Sequence, residues 1–579
     1  MIGLAAGGQG TATGVVQAIP LFADVAATNA APNLQGTLAE GERRRRSVRI
    51  NIDALGGFYG AGPAESRLEL TLFAGATRTA VLDRLETTYE GRSWIGHLEG
   101  VEFSTVVLTV TRGVVAGSAV WPGGHEFAIY PGPVGTHAVV ELEPGRKFED
   151  EVPESPPSHS RAAAVDPPFA MLDDPAVVDI LAVFTSEAKQ QAGGDVAVSA
   201  AIDQAVTLMN VSLSNSRVPA RVRVIRTLDV PFSVRATCGE TFNSLANTRD
   251  GNFDEMFALR DAFGADLVHV FIPGVPNFGC GGIANYANRP ELASLGYAFS
   301  VIRFYEAFAH EVGHNLGARH DWYVDDTNSS AKGFVNCAAG WGDIMSYADE
   351  CTARGMPHSR IPHFSNPTVQ YRGQPTGVPR GTGAGCRRGN LNNPPCDAEA
   401  ALEIANSFGV VANHRASRYV ASNFPPRNEA FDFRSQLEAK YRDTLRRPVA
   451  GSFADPEGAV VWTVEYLRYR LGQCGHEVAV DKVRRQVLGQ GLSDPCGSAP
   501  VGAMVFPPRN ETYQFRLALE DIYRVNLRRP ASDTRVDPEG DVVWIQEYLR
   551  YRLTGCNHSD GVARSMLQID GQAAPPTCG

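Results

Sequence analysis

His310-Glu311-Val312-Gly313-His314-Asn315-Leu316-Gly317-Ala318-Arg319-His320-Asp321 is the stretch on which the reading of this chain turns. On a helix, His310 and His314 stand four positions apart on one face, where two imidazoles reach one metal ion. Glu311 sits beside that line, so its carboxylate reaches a water at the metal without being a ligand, as a general base must. Gly317 tolerates the positive φ that ends the helix and swings His320 back as third ligand. The fourth coordination position stays open. Phe304, Ala307 and Phe308 supply an apolar helical lead-in. With 13 His in 579 residues, the whole pattern arises by chance in roughly one such chain in ten thousand or fewer. The bland alternative is a buried helix that uses these residues for packing or solvation.

Gly342-Asp343-Ile344-Met345-Ser346-Tyr347 follows. Alone, a Met flanked by Ile and Tyr is ordinary core. Together with the upstream motif it resembles the metzincin clan of zinc metallopeptidases, in which a methionine turn lies beneath the metal. The resemblance implies one Zn2+ held by His310, His314 and His320, Glu311 as general base and Met345 as the apolar floor. Asp321 directly after the third histidine resembles the reprolysin (adamalysin) branch, where this aspartate buttresses the site. The Met-Ser-Tyr triplet resembles serralysins and astacins instead. There the tyrosine is a displaceable extra ligand that stabilises the oxyanion; Tyr347 either takes that role or simply packs.

The run Val178 to Ser186, then Gly193-Gly194-Asp195 and a helix with Ala201, Ile202, Ala205 and Met209, is similar to bacterial reprolysin-like enzymes, including peptidyl-Asp metalloendopeptidases. So is Ile361-Pro362-His363-Phe364-Ser365-Asn366-Pro367. The likeness spans about 175 to 418. It implies a multidomain fold whose catalytic domain (176–418) is an α/β metzincin unit, a mixed sheet over a zinc-binding helix. Protein or peptide substrates would add as a strand to an exposed sheet edge, expected at Gly282, Ile283, Ala284 and Asn285. Preference for cleavage before Asp would need a cation beside the zinc. Arg303, Arg319, Arg354 and Arg360 are the candidates, each otherwise a solvated arginine.

Ten cysteines, none before Cys238 and none in a CxxC pair, favour disulfides and a secreted protein over a second zinc. Spacing pairs Cys337 with Cys351 and Cys386 with Cys396, leaving Cys238 for Cys280. A Ca2+ ion near Asp325 and Asp326 is an alternative to simple hydration of that acidic loop.

Beyond residue 423 the chain repeats itself. Phe424-Pro425-Pro426-Arg427-Asn428-Glu429 returns as Phe506-Pro507-Pro508-Arg509-Asn510-Glu511, and the offset holds through Trp462/Trp544 to Cys496/Cys578. Each copy (424–497 and 506–579) owns one cysteine pair and two amphipathic helices, which implies two small, mainly α-helical, disulfide-stapled modules. Their Tyr and Arg residues suit either a glycan or cell-surface ligand or an ordinary helical core.

Before the catalytic domain, residues 1–41 read as a leader or low-complexity segment, 42–150 as a β-rich domain, and the Pro- and Ser-rich 151–175 as a linker. That layout resembles a zymogen whose prodomain covers the cleft. The prodomain has no cysteine to offer the metal, so any block would be steric or use another donor, for example His125 or His137. The rival is a permanent β-domain. Arg43 to Arg46 read as a processing site or as the entry to a strand. No secretory signal is legible, no apolar run reaches membrane-spanning length, and a net charge of −11 argues against nucleic acid. Two readings remain: a secreted zinc endopeptidase made as a zymogen, or a catalytically spent scaffold that binds surfaces through its repeats.

Overall fold

The structure is a computed structural model that describes residues 17–25, 41–57, 64–132, 135–144 and 174–415, apart from a few single loop positions, with short pieces near 549–569. The alternating patterns of the N-terminal third form ten strands: β1 (Ile19–Pro20), β2 (Phe22–Asp24), β3 (Glu42–Ile50), β4 (Arg67–Phe73), β5 (Ala76–Thr87), β6 (Arg92–Leu98), β7 (Thr105–Thr111), β8 (Val114–Trp121), β9 (His125–Pro131) and β10 (His137–Leu142). From β4 to β10 each strand pairs antiparallel with the next, and β10 then pairs with β3. One continuous segment takes up both remaining edges: β1 lies parallel to β4, and β2 antiparallel to β3. The sheet is thereby closed into a barrel, filled by Leu68, Leu70, Trp94, Leu108, Val115, Phe127 and Val139.

This corrects the leader boundary, since Ile19–Asp24 belongs to the barrel. Two strands of two and three residues are too short to show a period, and Pro20 is tolerated because it sits where a strand is short and marginal. Arg43 to Arg46 fall inside β3, with Arg44 paired to Glu141, Arg45 to Glu42 and Arg46 to Asp24.

The second domain begins with β11 (Val177–Thr185), a strand buried along its whole length. Thr185 caps α1 (Ser186–Ala192), and Gly193 and Gly194, both at φ 113°, turn the chain into α2 (Asp195–Asn215). There follow β12 (Arg221–Val230), α3 (Cys238–Ala246), α4 (Met256–Phe263), β13 (Leu267–Ile272), β14 (Gly282–Ala284), β15 (Tyr297–Val301) and α5 (Tyr305–Asn315). The sheet order is β12-β11-β13-β15-β14; the first four are parallel and β14 runs antiparallel to β15. Beyond α5 lies a lower subdomain of short strands and loops with α6 (Asp349–Ala353), and α7 (Ala400–Val411) packs back against β11. Disulfides join Cys238 to Cys280, Cys337 to Cys351 and Cys386 to Cys396, as the spacing suggested.

Helix α2 is long and apolar enough to cross a membrane, yet 89% of that window is buried. It is the middle layer between two sheets, with β7 and β8 on one side and β12 on the other. The barrel thus rests on α2. His125 stacks on Trp121 within the barrel, and buried His137 accepts a hydrogen bond from the Val115 amide at 3.0 Å. Neither joins the cluster of His310, His314 and His320, so the structure does not support either of these example donors. The C-terminal repeats lie almost wholly outside the described residues; within them a helix spans His558–Ile569 and Cys556 is disulfide-bonded.

Met209 is completely buried in the middle layer. Met209→Ala is expected to lower unfolding free energy by about 2–5 kcal/mol, read from urea titrations.

Candidate active site

Helix α5 carries His310 and His314 on one face, and the chain reverses after it. Leu316 ends the helix, Gly317 has φ 96°, and the Gly317 and Ala318 amides donate to the carbonyls of His314 and Gly313. A β-carbon at Gly317 would lie 2.5 Å from the Asn288 side chain, so both φ and space require glycine. The reversal brings His320 back. The three Nε2 atoms stand 3.2 Å (His310–His314), 3.2 Å (His310–His320) and 2.9 Å (His314–His320) apart. Each ring is nearly or fully buried.

Their other nitrogens fix the tautomers. His310 Nδ1 donates to the Ile344 carbonyl and His314 Nδ1 to the Ala318 carbonyl, each at 2.8 Å. Both Nε2 lone pairs are therefore left pointing into the shared space. Three nitrogens about 3 Å apart fit an ion bound about 2.0–2.1 Å from each, the distance of zinc to histidine. Among the described residues this is the one cluster of potential metal donors.

Glu311, 1% exposed, lies against the sheet edge. A β-carbon at Gly282 would come within 2.5 Å of Glu311 Oε1 and 2.6 Å of the Phe299 carbonyl. Strand β14 is the last in its sheet, in register Gly282↔Ser300, Ile283↔Phe299 and Ala284↔Ala298. Asn315, the last residue of α5, donates to the Asn285 carbonyl at 2.7 Å and accepts from the Ala287 amide at 3.0 Å. These bonds lock the edge strand to the helix that carries the histidines.

Met345 is fully buried under α5, and a β-carbon at Gly313 would lie 2.7 Å from its sulfur. Asp321 accepts the Tyr323 amide on one oxygen and the Tyr347 amide on the other, both at 2.9 Å, so it ties the third histidine to the methionine turn. Tyr347 presents its ring edge-on to His320 at 4.7 Å and to His310 at 6.1 Å. The carbonyls of Ile344 and Ala318, and the close approaches at Gly282 and Gly313, escaped the sequence reading. Gly313 was the available signal, because glycine inside a helix costs about 1 kcal/mol relative to alanine unless contact demands it.

Of the four arginines, two are engaged with other partners. Arg303 donates to the Gln191 carbonyl and stacks on Tyr130; Arg354 pairs with Glu350. Arg319 covers the ring of Tyr286, which itself meets His314 edge-on at 5.9 Å. Arg360 donates to the Ser346 carbonyl at 3.1 Å, its guanidinium 5.7 Å from the centre of the Tyr347 ring.

The calcium expectation does not hold. Lys332, 0% exposed, places its ammonium 2.8 Å from Asp325 Oδ2, donates to the Asp325 carbonyl, and sits over the Trp322 ring. Arg319 adds a second positive charge 3.6 Å from the same carboxylate. The negative charge that would attract calcium is already neutralised from within. Lys332 holds Asp325 down to about 2 despite its partial burial.

A sheet, a helix bearing two histidines and a glutamate, a returning third histidine and a methionine floor together define a metallopeptidase of the zinc type. Residues 174–377 match the metallo-peptidase family M12B, reprolysin-like. The peptidyl-Asp metalloendopeptidase of Xanthomonas campestris pv. campestris is 26% identical over 378 residues, 61% of this chain and 85% of that protein. Its namesake in Stenotrophomonas maltophilia is 26% identical over 413 residues, 65% and 94%. These matches run well beyond the family segment. A solved chain from a chaperone-substrate complex aligns at 17% identity and a TM-score of 0.30, over 52% of this chain and 39% of that one.

Lys332→Met leaves the Asp325 carboxylate without its nearest cation and is expected to cost about 3 kcal/mol in urea unfolding. Adding or chelating calcium is expected to leave the melting temperature of the unaltered protein unchanged.

Proposed function

We propose that this chain is a secreted zinc-dependent endopeptidase with a preference for cleaving before aspartate. The observation that carries the reading is the convergence of three imidazoles beside a buried glutamate pressed against an open sheet edge. His310, His314 and His320 hold the ion. Zinc bound there supplies Lewis-acid polarisation of the scissile carbonyl and lowers the pKa of water at the site.

The chain's own groups do the rest. Strand β14 pairs with an extended substrate through main-chain hydrogen bonds, which position the peptide without reading its sequence. Glu311 takes a proton from the attacking water and returns it to the leaving amine. Tyr347, whose ring lies edge-on to two of the histidines, would donate to the oxyanion in this reading. Asp321 and Met345 keep the ligands and the turn in register.

Direction along the cleft selects among the arginines. A substrate antiparallel to β14 has its C-terminal half toward Gly282 and its N-terminal half toward Tyr286. Arg319 covers Tyr286 and so flanks the N-terminal half. Arg360 lies beside Tyr347 and donates to the Ser346 carbonyl, so in this reading its guanidinium meets the side chain just after the cut and suits a carboxylate there. The disulfides support an oxidising, extracellular setting.

Glu311→Gln is expected to retain zinc by elemental analysis and lose casein cleavage by at least about a hundredfold; unaltered cleavage refutes the mechanism and favours a different base. In a peptide library mapped by mass spectrometry, Arg360→Ala is expected to reduce selection of Asp over Ala after the cut by at least about tenfold, while Arg319→Ala leaves that selection intact.

A further inference from the structure

Three sets of contacts join the barrel to the metallopeptidase domain. Along α2, the buried Asp203 carboxylate accepts the Thr88 hydroxyl at 2.6 Å and the Glu90 amide at 3.1 Å. The next residue, Gln204, accepts from the Thr109 hydroxyl and donates to Ser118, while one turn on Thr207 meets Ser93 at 2.8 Å. At the root of the zinc helix, Tyr305 donates to the Ile129 carbonyl, Tyr130 donates to the Arg303 carbonyl, and the two rings tilt together at 5.6 Å. On the lower subdomain, Phe103 packs on Tyr371 at 5.0 Å, and Tyr371 in turn packs on Trp341.

Between these polar contacts the packing is continuous. One apolar cluster runs from Ala128, Ala138 and Val140 of the barrel through Ala197 and Ala201 of α2 and Phe308 and Val312 of α5 to Met345 below the histidines. That apolar cluster runs beside the buried polar set of Asp203, Gln204 and Thr207 and joins barrel to site. Phe103 itself sits in the turn between β6 and β7 at φ 61° and is 40% exposed beyond its contact with Tyr371.

From these contacts we propose that the barrel is a permanent brace of the working enzyme: it stays bound when the linker at 151–173 is cut, and the assembled two-piece molecule is the active form. The brace grips the upper sheet through α2, the zinc helix through Tyr305, and the lower wall through Tyr371, so it fixes both walls of the cleft from behind. A segment discarded on activation has no need of a core shared with the metal site. The proposal rests on the peptidase reading only where activity is measured.

The test introduces a recognition site for a sequence-specific protease between residues 151 and 173 of the full chain, in both the Glu311→Gln and the unaltered background. After cutting, size exclusion of the Glu311→Gln protein is expected to give one peak containing both fragments, separable only in denaturant. Barrel eluting apart from the metallopeptidase fragment overturns the proposal. In the unaltered background, peptide hydrolysis is expected to travel with the two-piece peak; activity confined to barrel-free fractions also overturns it. Activity in neither fraction refutes the peptidase reading, while co-elution still decides the brace. As a second check, Phe103→Ala is expected to raise KM several-fold with little change in kcat, and an unchanged KM removes the lower-wall contact from the brace.

Discussion

Everything at the site depends on two hydrogen bonds that donate away from it. The Nδ1 protons of His310 and His314 are committed to the carbonyls of Ile344 and Ala318, and this leaves both Nε2 atoms basic and aimed inward. The two acceptors come from different places. Ala318 belongs to the helix-ending turn, Ile344 to the methionine turn on the lower subdomain. The metal site is therefore also the seam of the domain: the upper and lower halves meet through an imidazole.

Around that seam the structure removes side chains where contacts are closest. Gly282 lets Glu311 lie against the edge strand, Gly313 lets Met345 rise against the helix, and Gly317 lets the chain double back past Asn288. Charge is handled the same way. Asp321 is satisfied by two backbone amides, and Asp325 by a buried ammonium. The ligand loop is held by main-chain and internal cationic partners, and among the described residues the three histidines are the one donor set that suits a metal ion.

The linear sequence disclosed the parts of the site that lie close together in it. Twelve residues contain every histidine of the cluster, the glutamate and the turn, because helical spacing and one glycine suffice to bring them together. The helix with Ala201, Ile202, Ala205 and Met209 was legible as well, from its apolar density. Partners brought together by an irregular loop or by the docking of the two domains were not. Lys332 pairs with Asp325 and Asp203 with Thr88, and neither pairing leaves a periodicity to read. A buried lysine looks like any other lysine until its surroundings are known, which is why an acidic loop suggested calcium. The barrel's role was hidden for a related reason: a β-rich segment before a protease has the same pattern whether it shields a cleft or supports its back.

The six residues Ile19 to Asp24 occupy two seats at once, one beside β4 and one beside β3. Trimming the chain just past them would strip two strands of their neighbours in a single step and leave two raw ladders of unpaired amides and carbonyls facing water. Such a truncated molecule would have a template for growth at each end, and its characteristic failure would be chain-to-chain stacking into aggregates ahead of any loss at the metal.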